Sequence, residues 1–324
     1  MQPNINNTKI NQSDEDKRVC SPQRIPTVSS IKKTDNPLTE SPAAPAKERP
    51  DAQLSLEFAN DQGKTRLARR DHFGQLYVQK PFYPEGPSVC HIVLVHPPGG
   101  IVGGDWLEIN QHVGAESTVQ ITTPGAAKWY KANGHVSHQN TTLNVEAGGT
   151  LEWLPQETIF FDQAQVELDH TVTLAQNATY LGCEIFCFGR TAYGETFNSG
   201  LIRQRMNIRR SNKLIWHEQL QLAGGSQAMK SPLILNGKTV CATLIAVSDT
   251  GYYASLPTNT LREEAARIAN GAGQLGISQT KSVFVARFIG DSSEIARNIM
   301  MNIWGGLRPA LIGRKAEVPR MWNT

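Results

Sequence analysis

Ten short runs of alternating apolar and polar residues, punctuated by turn signals, constrain this chain more than any other feature. Leu54-Ser55-Leu56-Glu57-Phe58 sets the pattern, and similar runs recur at His91–His96, Ser117–Thr122, Thr141–Glu146, Val166–Leu174, Thr179–Phe188, Leu201–Arg209, Lys213–Leu222, Val240–Ser248 and Ser282–Phe288. A period of two places alternate side chains on opposite faces, as a half-buried strand requires. Ala147-Gly148-Gly149, Asn177-Ala178, Ser211-Asn212 and Asn236-Gly237 supply turns between runs. An all-β sandwich, barrel or solenoid-like stack follows, although no fixed period marks a repeat protein. Two helices interrupt the strands. Thr260-x-x-Glu263 reads as a capping box leading into Ala265, Ala266 and Ile268, with a stop at Gly271. Asp291 precedes the second, whose Ile295, Ile299, Ile303 and Leu307 form one apolar stripe ending by Gly305-Gly306. Both are expected to pack on a sheet.

The strand pattern starts late. Residues 1–52 hold seven of the eighteen prolines, and no aromatic residue precedes Phe58. Such a segment buries too little apolar surface to offset its ordering entropy, so a disordered proline-rich extension is expected. Residues 53–324 show no second linker and read as a single β-rich domain. A net charge of +3 is too mild to imply nucleic-acid binding. Cysteines at 20, 90, 183, 187 and 241 are odd in number and irregularly spaced, unlike a disulfide framework. The polar N-terminus lacks a secretory core, and no apolar run of about eighteen residues spans a membrane. A cytoplasmic setting is expected.

Catalytic signatures are missing. His96-Pro97-Pro98-Gly99-Gly100-Ile101-Val102-Gly103-Gly104-Asp105 is glycine-rich, yet no Gly-Lys-Ser/Thr follows and strands flank it. It reads as a tight connection between strands, with Asp105 left as a residue of interest. There is no G-x-S-x-G, H-E-x-x-H or paired CxxC. Cys183 and Cys187 share a strand face about 13 Å apart, too far to chelate one ion, so buried small hydrophobes are expected. His135 and His138 lie in a loop without an evident third ligand.

Three carboxylates sit on apolar strand faces. Alternation groups Glu184 with Phe186 and Phe188, Glu218 with Leu214, Trp216, Leu220 and Leu222, and Glu152 with Leu154 beside Trp153. An unpartnered buried carboxylate costs several kcal/mol or shifts its pKa strongly upward, so these positions need an explanation. One is an ion pair using Arg190, Arg203 or Arg205. The other is an internal polar passage that a divalent cation occupies transiently, since oxygen ligands hold a late first-row divalent metal less tightly than imidazole or thiolate.

Phe82-Tyr83-Pro84-Glu85, the His96–Asp105 loop, Thr122–Tyr130 (TTPGAAKWY), Leu151–Asp162 (LEWLPQETIFFD), Gly189–Gly200 (GRTAYGETFNSG), Trp304–Pro309 and Pro319–Thr324 together resemble urease accessory protein D of the D/H family, in order from residue 53 to 324. The resemblance implies a mainly β fold of two stacked solenoid-like β-sheets with a pair of α-helices in the C-terminal half. It implies no enzymatic activity and no tightly bound cofactor, only a transient nickel ion. Its expected partners are accessory proteins F and G (a GTPase) and the urease apoenzyme, with nickel passing through an internal tunnel. Asp105, Glu184, Glu218 and Glu152 then become tunnel-lining candidates, with Glu157 and Glu195 as weaker ones. Arg308 and Trp322 become candidates for partner binding. On this view the passage outweighs a static ion pair for Glu184 and Glu218. Two rivals compete with it. One is a hydrolase or isomerase using Glu184 and Glu218 as an acid–base pair. The other is a carbohydrate-binding solenoid, disfavoured by the 7% aromatic content.

Overall fold

A computed structural model describes residues 49–248 and 256–323. The extension expected over residues 1–52 lies, apart from its last four residues, outside the described residues. The strands in chain order are β1 (Ala52–Asp61), β2 (Lys64–Phe73), β3 (Tyr77–Val78), β4 (Val89–Val95), β5 (Trp106–Val113), β6 (Thr118–Thr122), β7 (Ala127–Trp129), β8 (Ser137–Val145), β9 (Thr150–Leu154), β10 (Thr158–Phe160), β11 (Gln165–Leu174), β12 (Thr179–Phe188), β13 (Leu201–Arg210), β14 (Lys213–Ala223), β15 (Val240–Val247), β16 (Gly273–Thr280) and β17 (Val283–Gly290). The helices are α1 (Gln227–Lys230), α2 (Thr258–Ala269) and α3 (Ser293–Ile312).

The chain coils between two sheets. A seven-stranded sheet runs β14-β13-β11-β8-β5-β1-β2, and a ten-stranded sheet runs β16-β17-β15-β12-β9-β6-β4-β3, with β7 and β10 attached through β12. Its central strands pair in parallel: β4, β6, β9 and β12 in one sheet, and β1, β5, β8, β11 and β13 in the other. A short third side joins them, from the Ile101–Trp129 bridge through β7 and β10 to the end of β12. This is the expected solenoid-like stack. Val89 pairs with Thr118, Thr118 with Thr150, and Thr150 with Thr179, so successive coils differ in length. Unequal coils explain why the sequence shows no period.

Two cores result, one on each face of the ten-stranded sheet. In β12, Tyr180, Phe186 and Phe188 face the other sheet, while Leu181, Cys183, Ile185 and Cys187 face the helices. Both cysteines are buried as small apolar groups, and burial pushes each thiol up to about 12.

Both long helices depart from the sequence expectation at their ends. Thr260 does not cap α2, which starts at Thr258 with Pro257 as N-cap and stops at a left-handed Asn270. Ser292 caps α3 by accepting the Ile295 N–H at 3.2 Å. That helix runs through Gly305-Gly306 and Pro309 to Ile312, ending at a left-handed Gly313. The glycines do not end it because they serve packing. A Cβ on Gly306 would lie 2.3 Å from Leu261 Cδ2, so its absence lets α2 and α3 approach closely.

Candidate functional site

The space between the sheets is apolar beside β1 and β5 and polar further along. Ile109 on β5 pairs with Thr141 on β8, Thr141 with His170 on β11, and His170 with Met206 on β13. In this residue row the polar Thr141 and His170 lie between the apolar Ile109 and Met206. Gln139 and Gln204, two residues before Thr141 and Met206, point the same way into a cavity of about 330 Å³. Trp153, Glu184 and Phe186 close it from the ten-stranded sheet. Its rim is lined by His96, Gly99, Gly100, Ile101, Thr123–Ala127 and Gln156. The glycine-rich segment therefore connects β4 to β5, as expected, and shapes this rim. A Cβ on Gly100 would meet the Tyr130 ring at 2.2 Å, so only glycine admits that contact. Burial pulls the rim residue His96 below the ordinary histidine pKa, partly opposed by Asp105.

Glu184 lies on the cavity wall. His170 Nδ1 stands 3.2 Å from Glu184 Oε1, and the Tyr180 hydroxyl is 3.5 Å from His170 Nε2. Trp153 meets the His170 ring edge-on at 5.8 Å, which fixes the imidazole plane. Burial, reinforced by Glu184 and Cys183, lifts the Tyr180 hydroxyl well above its ordinary pKa, so it stays neutral.

Glu218, expected to line a passage, is not among the residues lining this cavity; it is ion-paired to Arg287 of β17 at 2.7 Å, joining the two sheets. Burial raises its pKa; Arg287 opposes the rise and Glu184 adds to it. The expected face of β14 is corrected at one residue. A bulge opposite Ile208 and Arg209 shifts the register, leaving Leu214 49% exposed while Trp216, Glu218, Leu220 and Leu222 stay inward.

Glu152 has a different environment. It faces α3 with Leu154 and has 0% exposure. Trp304 Nε1 donates to it at 2.6 Å, Gln120 Nε2 at 3.4 Å, and Arg308 through Nε and Nη2 at 2.9 and 2.8 Å. Arg308 also forks onto Glu85 at 2.7 and 2.8 Å, and Glu85 meets His91 Nε2 at 2.8 Å. Burial alone would raise the Glu85 pKa, but hydrogen bonds from His91 and Arg308 overcome it and hold the value near about 2. Arg308, a candidate for partner binding, is itself 0% exposed and serves as an interior anchor for α3. Trp322 is half-buried; its Nε1 donates to Thr122 Oγ1 at 2.8 Å and its ring packs near Trp304.

The remaining candidates lie apart. Asp105 closes a tight turn by accepting the Val102 N–H at 2.9 Å. Glu157 pairs with Arg297 of α3, although its neighbours Gln156 and Thr158 line the cavity. Glu195 is held by Arg190, whose hydrogen bond lowers its pKa. His138 meets Glu167 at 3.3 Å, while His135 is exposed. Of the ion-pair partners suggested for the buried acids, Arg203 and Arg205 bind Glu167 and Asp169 instead. Sequence reasoning missed His170, Gln139 and Gln204. The alternation Val166, Leu168, His170, Val172, Leu174 would have placed His170 on an inward face.

The UreD urease accessory protein family model matches residues 50–323. A urease accessory protein UreD of Nitrosospira multiformis is 54% identical over 276 residues, covering 84% of this chain and 97% of that protein. Its counterpart in Janthinobacterium sp. (strain Marseille) is 56% identical over 84% of this chain and 91% of its own length. That of Methylobacillus flagellatus is 40% identical over 87% and 97%.

Proposed function

The chain belongs to the UreD family of urease accessory proteins, and on that premise we propose that it conveys nickel to apo-urease through the cavity between its sheets, without catalysis of its own. One observation carries this reading: a carboxylate and an imidazole, Glu184 and His170, face an internal void whose mostly apolar lining is interrupted by the amides of Gln139, Gln156 and Gln204 and the hydroxyls of Thr123, Thr141 and Thr158. Water in the void and these scattered neutral oxygens would pass a cation without trapping it, because they exchange readily while thiolate and multiple imidazoles do not. Among the described residues, no group of three or more His, Cys, Asp or Glu side chains converges to form a storage site. Glu218 would serve the ion beyond the cavity lining by exchanging Arg287 for it, and Asp105 shapes the glycine-rich turn at the rim. Glu152 acts as the fixed support of the helix above.

The working assembly is a cytoplasmic complex with accessory proteins F and G, docked on the urease apoenzyme. The C-terminal tail with Trp322, and the exposed side of α3, form the face toward F; Arg308 holds that face in place from within. Removing residues 314–324 should abolish co-purification with F while leaving a folded domain, whereas retained co-purification would reject the tail as a contact.

The decisive measurement is the nickel content of urease purified from a urease-positive host lacking this gene, with and without its restoration. Assembled but nickel-poor urease, rescued by the gene, is the expected result. Full nickel loading without the gene would overturn the proposal.

A further inference from the structure

We infer that His170 and Glu184 form a two-donor station in the cavity at which a divalent transition-metal cation exchanges part of its water shell for one imidazole nitrogen and one carboxylate oxygen, with Tyr180 as the positioning residue. The inference rests on the conduit reading and assigns the point within the conduit where the protein touches the ion directly.

The distances carry it. Ligand atoms about 2.0–2.2 Å from a first-row divalent ion, at right angles to one another, stand about 3 Å apart. His170 Nδ1 and Glu184 Oε1 are 3.2 Å apart, close to that adjacent-ligand spacing before any ion enters. The imidazole is also restrained, with Trp153 edge-on at 5.8 Å and Tyr180 at the far nitrogen. A ligating histidine needs its other nitrogen tied to a partner that fixes the tautomer. The Tyr180 hydroxyl suits both states. It donates to bare Nε2 while Nδ1–H faces Glu184, and it accepts from Nε2–H once Nδ1 turns its lone pair to a cation.

Space and valency fit a passing ion. A water occupies about 30 Å³ in the liquid, so a void of about 330 Å³ accommodates the remaining aqua ligands of a partly dehydrated cation. Two protein donors with water elsewhere give a site that releases its ion. Imidazole suits nickel among the common divalent ions and would favour it over magnesium or calcium.

The test uses the full chain with substoichiometric Ni²⁺ in a background carrying His135→Gln and His138→Gln, which removes the loop pair. Nickel-edge X-ray absorption should show imidazole scattering in that background and none after His170→Gln. Nickel affinity should fall at least about tenfold in His170→Gln and Glu184→Gln, and about tenfold in Tyr180→Phe with the imidazole signature kept. An oxygen-only nickel spectrum in the background protein would overturn the station, as would unchanged affinity in a folded His170→Gln variant. Should His170→Gln not fold, the background spectrum together with Tyr180→Phe decides. Urease nickel content separates the two claims. Gene-dependent loading with an oxygen-only spectrum removes the station and leaves the conduit, whereas gene-independent loading removes the conduit itself.

Discussion

Glu152 and Glu184 raise the same question in the sequence and receive opposite answers from the two faces of one sheet. Each is an acid at an apolar strand position. Glu152 on β9 pairs with Leu181 of β12, three positions before Glu184, so the two carboxylates point to opposite sides. Glu152 meets a guanidinium, an indole and an amide in a dry contact with α3. Glu184 meets one imidazole at 3.2 Å and a void. A buried carboxylate is therefore an anchor where fixed cationic donors saturate it, and a transit point where it keeps lone pairs facing open space.

Breaking the anchor should have the largest effect. Arg308→Met leaves Glu85 and Glu152 buried without their shared guanidinium, and removing one partner of a buried ion pair typically costs about 3–5 kcal/mol. Urea denaturation should register a loss of that size, with α3 released first in hydrogen exchange. A shift under about 1 kcal/mol would show that the anchor has a wet alternative.

Phe186→Ala comes next. The ring is buried on the cavity side, so truncation enlarges an existing void and should cost roughly 3 kcal/mol, at the low end for such a change. Equilibrium unfolding measures it, and a loss below about 1 kcal/mol would mean the void collapses on truncation.

The anchor should also answer to acid. The Glu85 pKa is lowered from 4.5 to about 2, so its ionised form is favoured in the folded state. A group depressed in this way stabilises fully above its unfolded pKa, and that contribution disappears as pH falls from about 4.5 toward 2. The loss is on the order of 3 kcal/mol. Glu85→Gln should be less stable at neutral pH and flatter across this window, and parallel curves for the two proteins would refute the assignment.

The smallest stability effect sharpens the contrast. Glu184→Gln and Glu218→Gln preserve side-chain shape, and each should change folding stability by under about 1 kcal/mol. Nickel content of co-expressed urease should nonetheless fall in both. Normal urease loading with both variants would remove these residues from the conduit.

Much of this contrast was legible in the sequence, and the missing part has a physical cause. Period-two alternation located β1, β4, β6, β8, β11 to β15 and β17, because each buries at least one face. It gave no signal for β2, an edge strand whose Lys64, Arg66, Arg69 and Arg70 all face solvent, or for β16, an edge strand holding two glycines. Alternation inside β5 was obscured by Gln111, a buried amide at an inward position. Parity within a strand identified Glu152, Glu184 and Glu218 as anomalous, but it cannot say which of two cores a face enters. That depends on α3, which supplies Arg308 and Trp304 from more than 150 positions away. The cavity itself was invisible, since it comes from the residues that four separate coils bring to one level.

The distance along the chain between Glu85 and Arg308 has a consequence for how the protein is made. The two lie 223 positions apart, whereas successive coils pair strands about thirty residues apart. At a synthesis rate of roughly 5–20 residues per second, Glu85 and Glu152 emerge and meet their sheet neighbours roughly 10 to 45 seconds, or somewhat less for Glu152, before their shared cation exists. During that interval the stack can grow coil by coil with one face unsealed. Completion of the C-terminal helix then acts as a timer on maturation: a chain released early keeps two acids without their shared guanidinium on an apolar surface, and is marked by its own electrostatics as unfinished.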